Sequence, residues 1–308
     1  MKVLELFSGT HSIGKVCKEH GYEVVSLDRD LGAKCPFGSN YESDIHIKED
    51  IMTWDYKKDF KVGEFDLITA SPVCLWWSRL RNTWIGRKLK SMDRPLTKED
   101  INNDIAKYGE PMVDKVFEII DYFNPTYWWI ENPQTGRMKE YINDLIPFYD
   151  VDYCKYSDFG YKKKTRFWTN IEGFVPKICH NDCENMIEIK TQEGDIHPGS
   201  GKQIKAETRK LHSNVISYKK QKAIKKHLKT FGAKPNNGQK NVGGGSNKFE
   251  RYRIPSKLIN EFIEKTKEST IKRHKIQLGR ESGGGVRKLE KYRIPSALIA
   301  ELLCHSHS

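Results

Sequence analysis

The 308 residues carry 53 Lys/Arg against 41 Asp/Glu, a net charge of +12, with 37% hydrophobic and 11% aromatic content. That balance suits one globular domain plus a smaller appendage and excludes a disordered chain, while no run approaches the roughly 18 apolar residues that a membrane span requires. The positive excess calls for a polyanionic partner.

The chain opens Met1-Lys2-Val3-Leu4-Glu5-Leu6-Phe7, too short and interrupted for a secretory signal, and its seven cysteines are odd in number and scattered. An intracellular protein without a disulfide framework is expected. From residue 1 to about 171, short apolar runs alternate with helical patterns, the signature of a doubly wound, mostly parallel α/β sheet. Strands are predicted over 2–7, 23–27, 44–47, 65–69 and 127–130. Helices are predicted over 13–20 and 111–122, the second with Met112, Val113, Val116, Phe117 and Ile120 on one face.

The first strand runs into Phe7-Ser8-Gly9-Thr10-His11-Ser12-Ile13-Gly14 and then a helix, the strand, glycine turn and helix that nucleotide-type ligands use. The fingerprint G-x-G-x-x-G is incomplete, since Thr10 and His11 follow Gly9, which argues against a nicotinamide enzyme. Asp28 ends the second strand nineteen residues past Gly9, where an acid accepts hydrogen bonds from ribose hydroxyls. Asp50 and Ile51 follow the third strand, where a carboxylate can accept from an adenine amino group while an aliphatic side chain covers the ring. Each acid taken singly also reads as a turn residue or helix cap.

The fourth strand ends in Ser71-Pro72-Val73-Cys74-Leu75-Trp76-Trp77-Ser78, placing the Cys74 thiol at the carboxyl edge of the sheet, where open α/β folds bind ligands. An isolated cysteine is usually an inert small hydrophobe, but this location favours a nucleophile. The fifth strand, with Trp128 and Trp129, delivers Glu131-Asn132-Pro133 to the same edge. A carboxyl beside apolar indoles is desolvated, which favours its proton-bearing form and makes Glu131 a candidate general acid.

These motifs, with the later Lys163-Lys164-Thr165-Arg166, occur in the order seen in cytosine-5 DNA methyltransferases, which residues 1 to about 170 resemble. The variants Val73, Leu75 and Pro133 are similar to those of viral or phage members. The resemblance implies a Rossmann-like S-adenosylmethionine-dependent methyltransferase sheet with a smaller, irregular DNA-recognition region, and double-stranded DNA as partner. It implies that Cys74 attacks carbon 6 of cytosine, Glu131 contacts the ring nitrogen and amino group, and Arg166 helps hold base and phosphate. The implied contacts of the cofactor, S-adenosyl-L-methionine, are Phe7, Ser8, Gly9, Thr10, Ile13, Asp28, Asp50, Ile51 and Pro72. A tRNA-methylating relative would use the same Cys74 and Glu131, and a catalytically idle nucleic-acid-binding homologue would keep only the fold.

The expected layout is a catalytic domain over 1–172, a small basic target-recognition region over 173–245, and a tail over 246–308. Between Gly201 and Lys240 there are twelve Lys/Arg against one acid, Glu207, a composition suited to phosphate contacts. Cys179-His180 with Cys183, and His197 or His212 downstream, is a weak metal pattern lacking a second close pair. Packed or surface cysteines and no metal are expected. The tail repeats itself: GGGSNKFERYRIPSKLINEF from Gly243 is echoed by GGGVRKLEKYRIPSALIAEL from Gly283, at an offset of 40 residues. One copy is expected to dock on the catalytic domain of a monomer, with exchange of the other conceivable between chains.

Overall fold

Strand β1 (Lys2–Leu6) has Val3, Leu4 and Leu6 all but completely buried, and side chains of successive residues leave opposite faces, so the strand belongs in the middle of a sheet covered on both sides. The structure, a computed structural model, describes residues 1–30, 41–89, 92–142, 146–191, 207–212 and 253–268. In it β1 is flanked in parallel by β2 (Glu23–Leu27) and β4 (Leu67–Ala70), and β2 pairs in parallel with β3 (Ile45–Ile47). Strand β5 (Tyr127–Pro133) lies parallel to β4, with Ala70 opposite Ile130. Beyond it β7 (Lys164–Thr169) runs antiparallel to both β5 and the edge strand β6 (Phe148–Asp152). The order β3-β2-β1-β4-β5-β7-β6 reverses direction between β1 and β4, which opens a crevice at the carboxyl ends of those strands.

Two apolar layers cover the faces. Leu4, Leu6, Ile68 and Ile130 join one core with α2 (Tyr56–Asp59), α3 (Lys98–Asp104), α4 (Glu110–Phe123) and α5 (Met138–Ile142). The predicted apolar face of α4 is borne out at Val113, Val116, Phe117 and Ile120, all buried. Thr97 and Asp100 form a reciprocal capping box that starts α3, and a single π-helical turn, Ile105–Gly109, joins α3 to α4. Gly109 in that turn is dictated by packing: a Cβ there would lie 2.9 Å from the buried Trp77 ring. Val3, Leu67 and Trp129 join the opposite core with α1 (Ser12–Glu19) and α6 (Ser256–Glu268).

Helix α6 comes from the first tail repeat, so this copy docks on the sheet. Its Leu258, Phe262 and Ile263 are fully buried. The Phe262 ring stacks on Phe174 at a 4.1 Å centroid distance and lies 5.0 Å from Phe167 and 5.5 Å from Trp129. Asn260 Oδ1 sits 2.6 Å from His20 Nε2 on α1's C-cap, and Tyr127 donates to the Thr266 carbonyl. The repeat from Gly283 lies outside the described residues, as does the 201–240 stretch apart from 207–212.

Packing does not break at the expected 172/173 boundary. Phe174 belongs to the α6 core, the Lys177 amide donates to the Tyr156 hydroxyl, and the Asp152 amide donates to the Lys177 carbonyl. The large sheet ends with β7, and β8 (Met186–Thr191) pairs antiparallel with β9 (Glu207–His212) in a separate two-stranded ribbon. Truncating Phe262 to Ala leaves a cavity under three aromatic rings. The expected outcome is a loss of about 3–5 kcal/mol of unfolding free energy, read as a lower denaturant midpoint at unchanged slope.

Candidate active site

Register brings two of the three expected catalytic residues, Cys74 and Glu131, to one edge. Cys74 follows Ala70 by four positions and Glu131 follows Ile130 by one, and Ala70 and Ile130 stand opposite each other on adjacent parallel strands. The loop carrying the half-buried Cys74 is fastened on both sides of the thiol. The buried Asn132 Nδ2 donates to the Pro72 carbonyl at 2.9 Å, and the Arg137 amide donates to the Trp77 carbonyl at 2.8 Å. A side chain at Gly136 would crowd that junction, its Cβ 3.0 Å from the Pro133 carbonyl and 3.4 Å from that of Trp77. Thiol loop and acid loop are thus built as one unit.

Glu131 is 5% exposed, as expected, and the structure adds two polar partners that the sequence does not suggest. Trp129 packs into the α6 core on the same face, and Glu131 Oε1 accepts from the Tyr153 hydroxyl at 2.8 Å and from Lys163 Nζ at 3.3 Å. Complete burial, and after it the Glu131 carboxylate, pushes the Tyr153 pKa well above its usual value, so the phenol keeps its proton and donates. The Lys163 ammonium also lies 4.8 Å from the Tyr153 ring centroid.

Arg166 is placed differently from the expectation. On β7 it stands opposite Asn132, whereas Phe167 stands opposite Glu131, so strand alternation sets Arg166 on the face away from the acid. Its guanidinium makes a two-pronged pair with Asp150, Nε to Oδ1 at 2.8 Å and Nη2 to Oδ2 at 2.9 Å, and lies 3.5 Å from the Phe148 ring centroid. The cation beside Glu131 is Lys163, three residues earlier, a parity that a motif match along the chain does not resolve.

The glycine loop is a hook of left-handed residues, Phe7 at φ 58°, Gly9 at 49° and His11 at 53°. It is held by the Ser8 amide on the Leu27 carbonyl and by the Gly9 amide on Asp28 Oδ2 at 2.9 Å, while Asp28 Oδ1 accepts from the Asp30 amide. The Ser8 hydroxyl is buried and has no hydrogen-bond partner among the described residues, a donor available to a ligand. Thr10 is buried, its hydroxyl 2.7 Å from that of Ser12, and Pro72 is buried beneath the thiol loop. Asp50 holds the following turn, with Oδ1 accepting from the Met52 amide and Oδ2 3.4 Å from Arg29. Ile13 and Ile51, each 3% exposed, are packed into opposite core layers. A buried donor, a left-handed glycine and a strand-end carboxylate fit a ligand with amino-acid and ribose parts.

Glu5, absent from the sequence-based set, underpins this loop. It is 2% exposed on β1, accepts from the Gly14 amide at 3.0 Å and the Ser26 hydroxyl at 3.1 Å, and lies 3.4 Å from His11 Nδ1. An acid inside a strand reads as a break in apolar pattern, so nothing in the sequence marks it. Away from the sheet edge, Cys179 and Cys183 are not independent packed cysteines as expected. Their sulfurs converge with Cys154 Sγ and a ring nitrogen of His212, all four residues buried and the ligand-type atoms within 4.8 Å of one another.

Strand order, the antiparallel β7 and the ligand loop at the carboxyl edge are those of Rossmann-like S-adenosylmethionine-dependent methyltransferases. The chain is 44% identical over 189 residues to the "Probable DNA (cytosine-5)-methyltransferase" of Frog virus 3 (isolate Goorha), a match covering 60% of this chain and 79% of that protein. It belongs to the DNA (cytosine-5)-methyltransferase family, whose methyl donor is S-adenosyl-L-methionine. Among solved structures it is similar to a mutant of DNMT2 from Spodoptera frugiperda, at 17% identity and a TM-score of 0.32, over 54% of this chain and 49% of that one. It is also similar to a SAM dependent methyltransferase from Archaeoglobus fulgidus, at 14% identity and a TM-score of 0.25, over 43% and 44% of the two chains. No family model matches.

Gly14 tests the cradle. A Cβ there would fall 2.6 Å from Glu5 Oε2 and closer still to the Tyr41 hydroxyl, both on buried side chains with little room to yield. Gly14→Ala is expected to lose about 1–3 kcal/mol of stability and to weaken donor binding, measured by thermal unfolding and calorimetric titration.

Proposed function

We propose that this chain methylates carbon 5 of cytosine in double-stranded DNA, with Cys74 as covalent nucleophile and Glu131 as the acid at the base. The observation that supports this most is the Asn132–Pro72 hydrogen bond, which builds the thiol loop and the acid loop into one unit. Because neither face of a stacked base is accessible, the target cytosine leaves the duplex, at a cost of roughly a few kcal/mol.

The Cys74 thiolate adds to carbon 6, forming an S–C bond while the ring's electron pair moves toward nitrogen 3, where Glu131, which enters the step protonated on Oε2, delivers that proton and becomes the carboxylate. Carbon 5 is then the nucleophilic end of an enamine. S-adenosylmethionine, when held by Ser8, Gly9, Asp28 and the Asp50-Ile51 turn, supplies an electrophilic methyl group at that carbon. Loss of the carbon 5 proton to a base then expels the Cys74 sulfur from carbon 6, and nitrogen 3 gives its proton back. Tyr153 and Lys163 both address Oε1 of Glu131, which fixes the carboxyl group and keeps Oε2 for the ring. Arg166 serves by holding Asp150 and β6. Duplex phosphates are met by the basic 201–240 stretch.

Cys74→Ala is expected to cut methyl transfer by about 10³-fold or more while donor binding persists. Duplex DNA containing 5-fluorocytosine is expected to give a denaturation-resistant complex with the wild type alone, because fluorine cannot leave carbon 5 as a proton does. An active Cys74→Ala protein, or transfer to tRNA that exceeds transfer to duplex DNA, would overturn the proposal. Lys163→Met is expected to lower kcat on the order of 10²-fold with little change in donor affinity, whereas Arg166→Met chiefly lowers stability; steady-state kinetics beside unfolding curves separate the two.

A further inference from the structure

We propose that Cys154, Cys179, Cys183 and His212 form a structural zinc site that clamps the β8–β9 ribbon to the catalytic sheet. His212 Nε2 lies 3.3 Å from Cys183 Sγ and 3.5 Å from Cys179 Sγ, and every pair of ligand atoms in the set lies within 4.8 Å. Tetrahedral zinc with bonds of about 2.3 Å to sulfur and about 2.0 Å to nitrogen separates its ligands by about 3.5 Å for S–N and about 3.8 Å for S–S. The four atoms are therefore already spaced to within small rotations of a coordination shell.

Chemistry narrows the ligand. Three thiolates and one imidazole select a borderline-soft tetrahedral ion over magnesium or calcium, which take oxygen donors. All four positions are protein side chains with no vacancy for water, the pattern of a structural rather than a catalytic zinc. The surroundings supply an outer shell. The Cys179 amide donates to Asp152 Oδ2 at 2.8 Å, and Lys162 Nζ donates to the Cys179 carbonyl while standing 3.2 Å from the same carboxylate. Lys155, beside Cys154, pairs with Asp182 at 2.7 Å between the other two cysteines. Three thiolates and one divalent cation sum to a single negative charge, bordered here by two lysine–carboxylate pairs.

The ligands come from three separate pieces of chain: the short 3-10 turn Tyr153–Lys155 that follows β6, the loop before β8, and the end of β9. Cys154 is the neighbour of Tyr153, whose hydroxyl holds Glu131. His212 lies within the basic stretch. The metal thus ties His212, inside that stretch, to the turn that carries Tyr153.

Full-length protein purified under reducing conditions without chelators is expected to hold equimolar zinc by elemental mass spectrometry. Its cobalt form is expected to show thiolate-to-metal charge transfer and the intense visible bands of tetrahedral coordination. Cys183→Ser and His212→Ala are expected to weaken zinc binding by at least about 100-fold in competition with a chromophoric chelator. His212→Cys, which keeps four ligands, and Cys74→Ser, outside the cluster, retain it. The proposal is overturned if reduced wild-type protein takes up no zinc on dialysis against it. It is equally overturned if a Cys183→Ser/His212→Ala double variant binds zinc as the wild type does, or if intact-mass analysis finds Cys154 disulfide-bonded to Cys179.

Discussion

A single buried hydrogen bond, from the Asn132 amide group to the Pro72 carbonyl, sets the relation between the two halves of the reactive centre. Each half ends a different parallel strand, and strands alone would leave their loops to wander independently. A carboxamide can bridge them because β5 extends past β4 to Pro133, so a polar residue at its tip reaches sideways over its shorter neighbour. Asn132 is 1% exposed, where an unmade bond costs about 1–3 kcal/mol, and that penalty keeps the bridge closed.

The same logic of alternation runs through the sheet. On β1, Val3 and Leu4 feed opposite cores, and Glu5 is left to carry the Gly14 amide from inside. On β7, alternation sends Arg166 to Asp150 and leaves Phe167 opposite Glu131, while Lys163, just before the strand, reaches the acid. Whether a basic side chain serves chemistry or scaffold is decided here by odd or even position.

Strands β1, β2, β4 and β5 were legible because burial on both faces produces short continuous apolar runs, and those runs ended at Gly, Pro or acidic residues; the edge strand β3 showed only through its alternating Ile45 and Ile47. Cys74 and Glu131 were legible for the same reason, as chemistry-bearing residues just past a strand end. Strands β6 and β7 were not, since Asp150, Asp152, Thr165 and Arg166 interrupt any apolar pattern and are accommodated only through pairing across the sheet. The parity that separates Lys163 from Arg166 needs a register, which one chain read linearly does not contain. Of the Cys154 cluster, Cys179, Cys183 and His212 showed as a weak pattern, whereas Cys154, far upstream, is joined to them only by the fold.

The aromatic seat formed by Phe174, Phe167 and Trp129 discriminates between the two related tail segments. At the position corresponding to Phe262 the second segment carries Leu302, which fills volume but offers no ring to lie flat on Phe174. Aromatic stacking adds about 0.5–1.5 kcal/mol beyond burial, so competition for the seat favours the upstream segment by up to roughly tenfold. A duplicated sequence thereby acquires an order of preference from one ring.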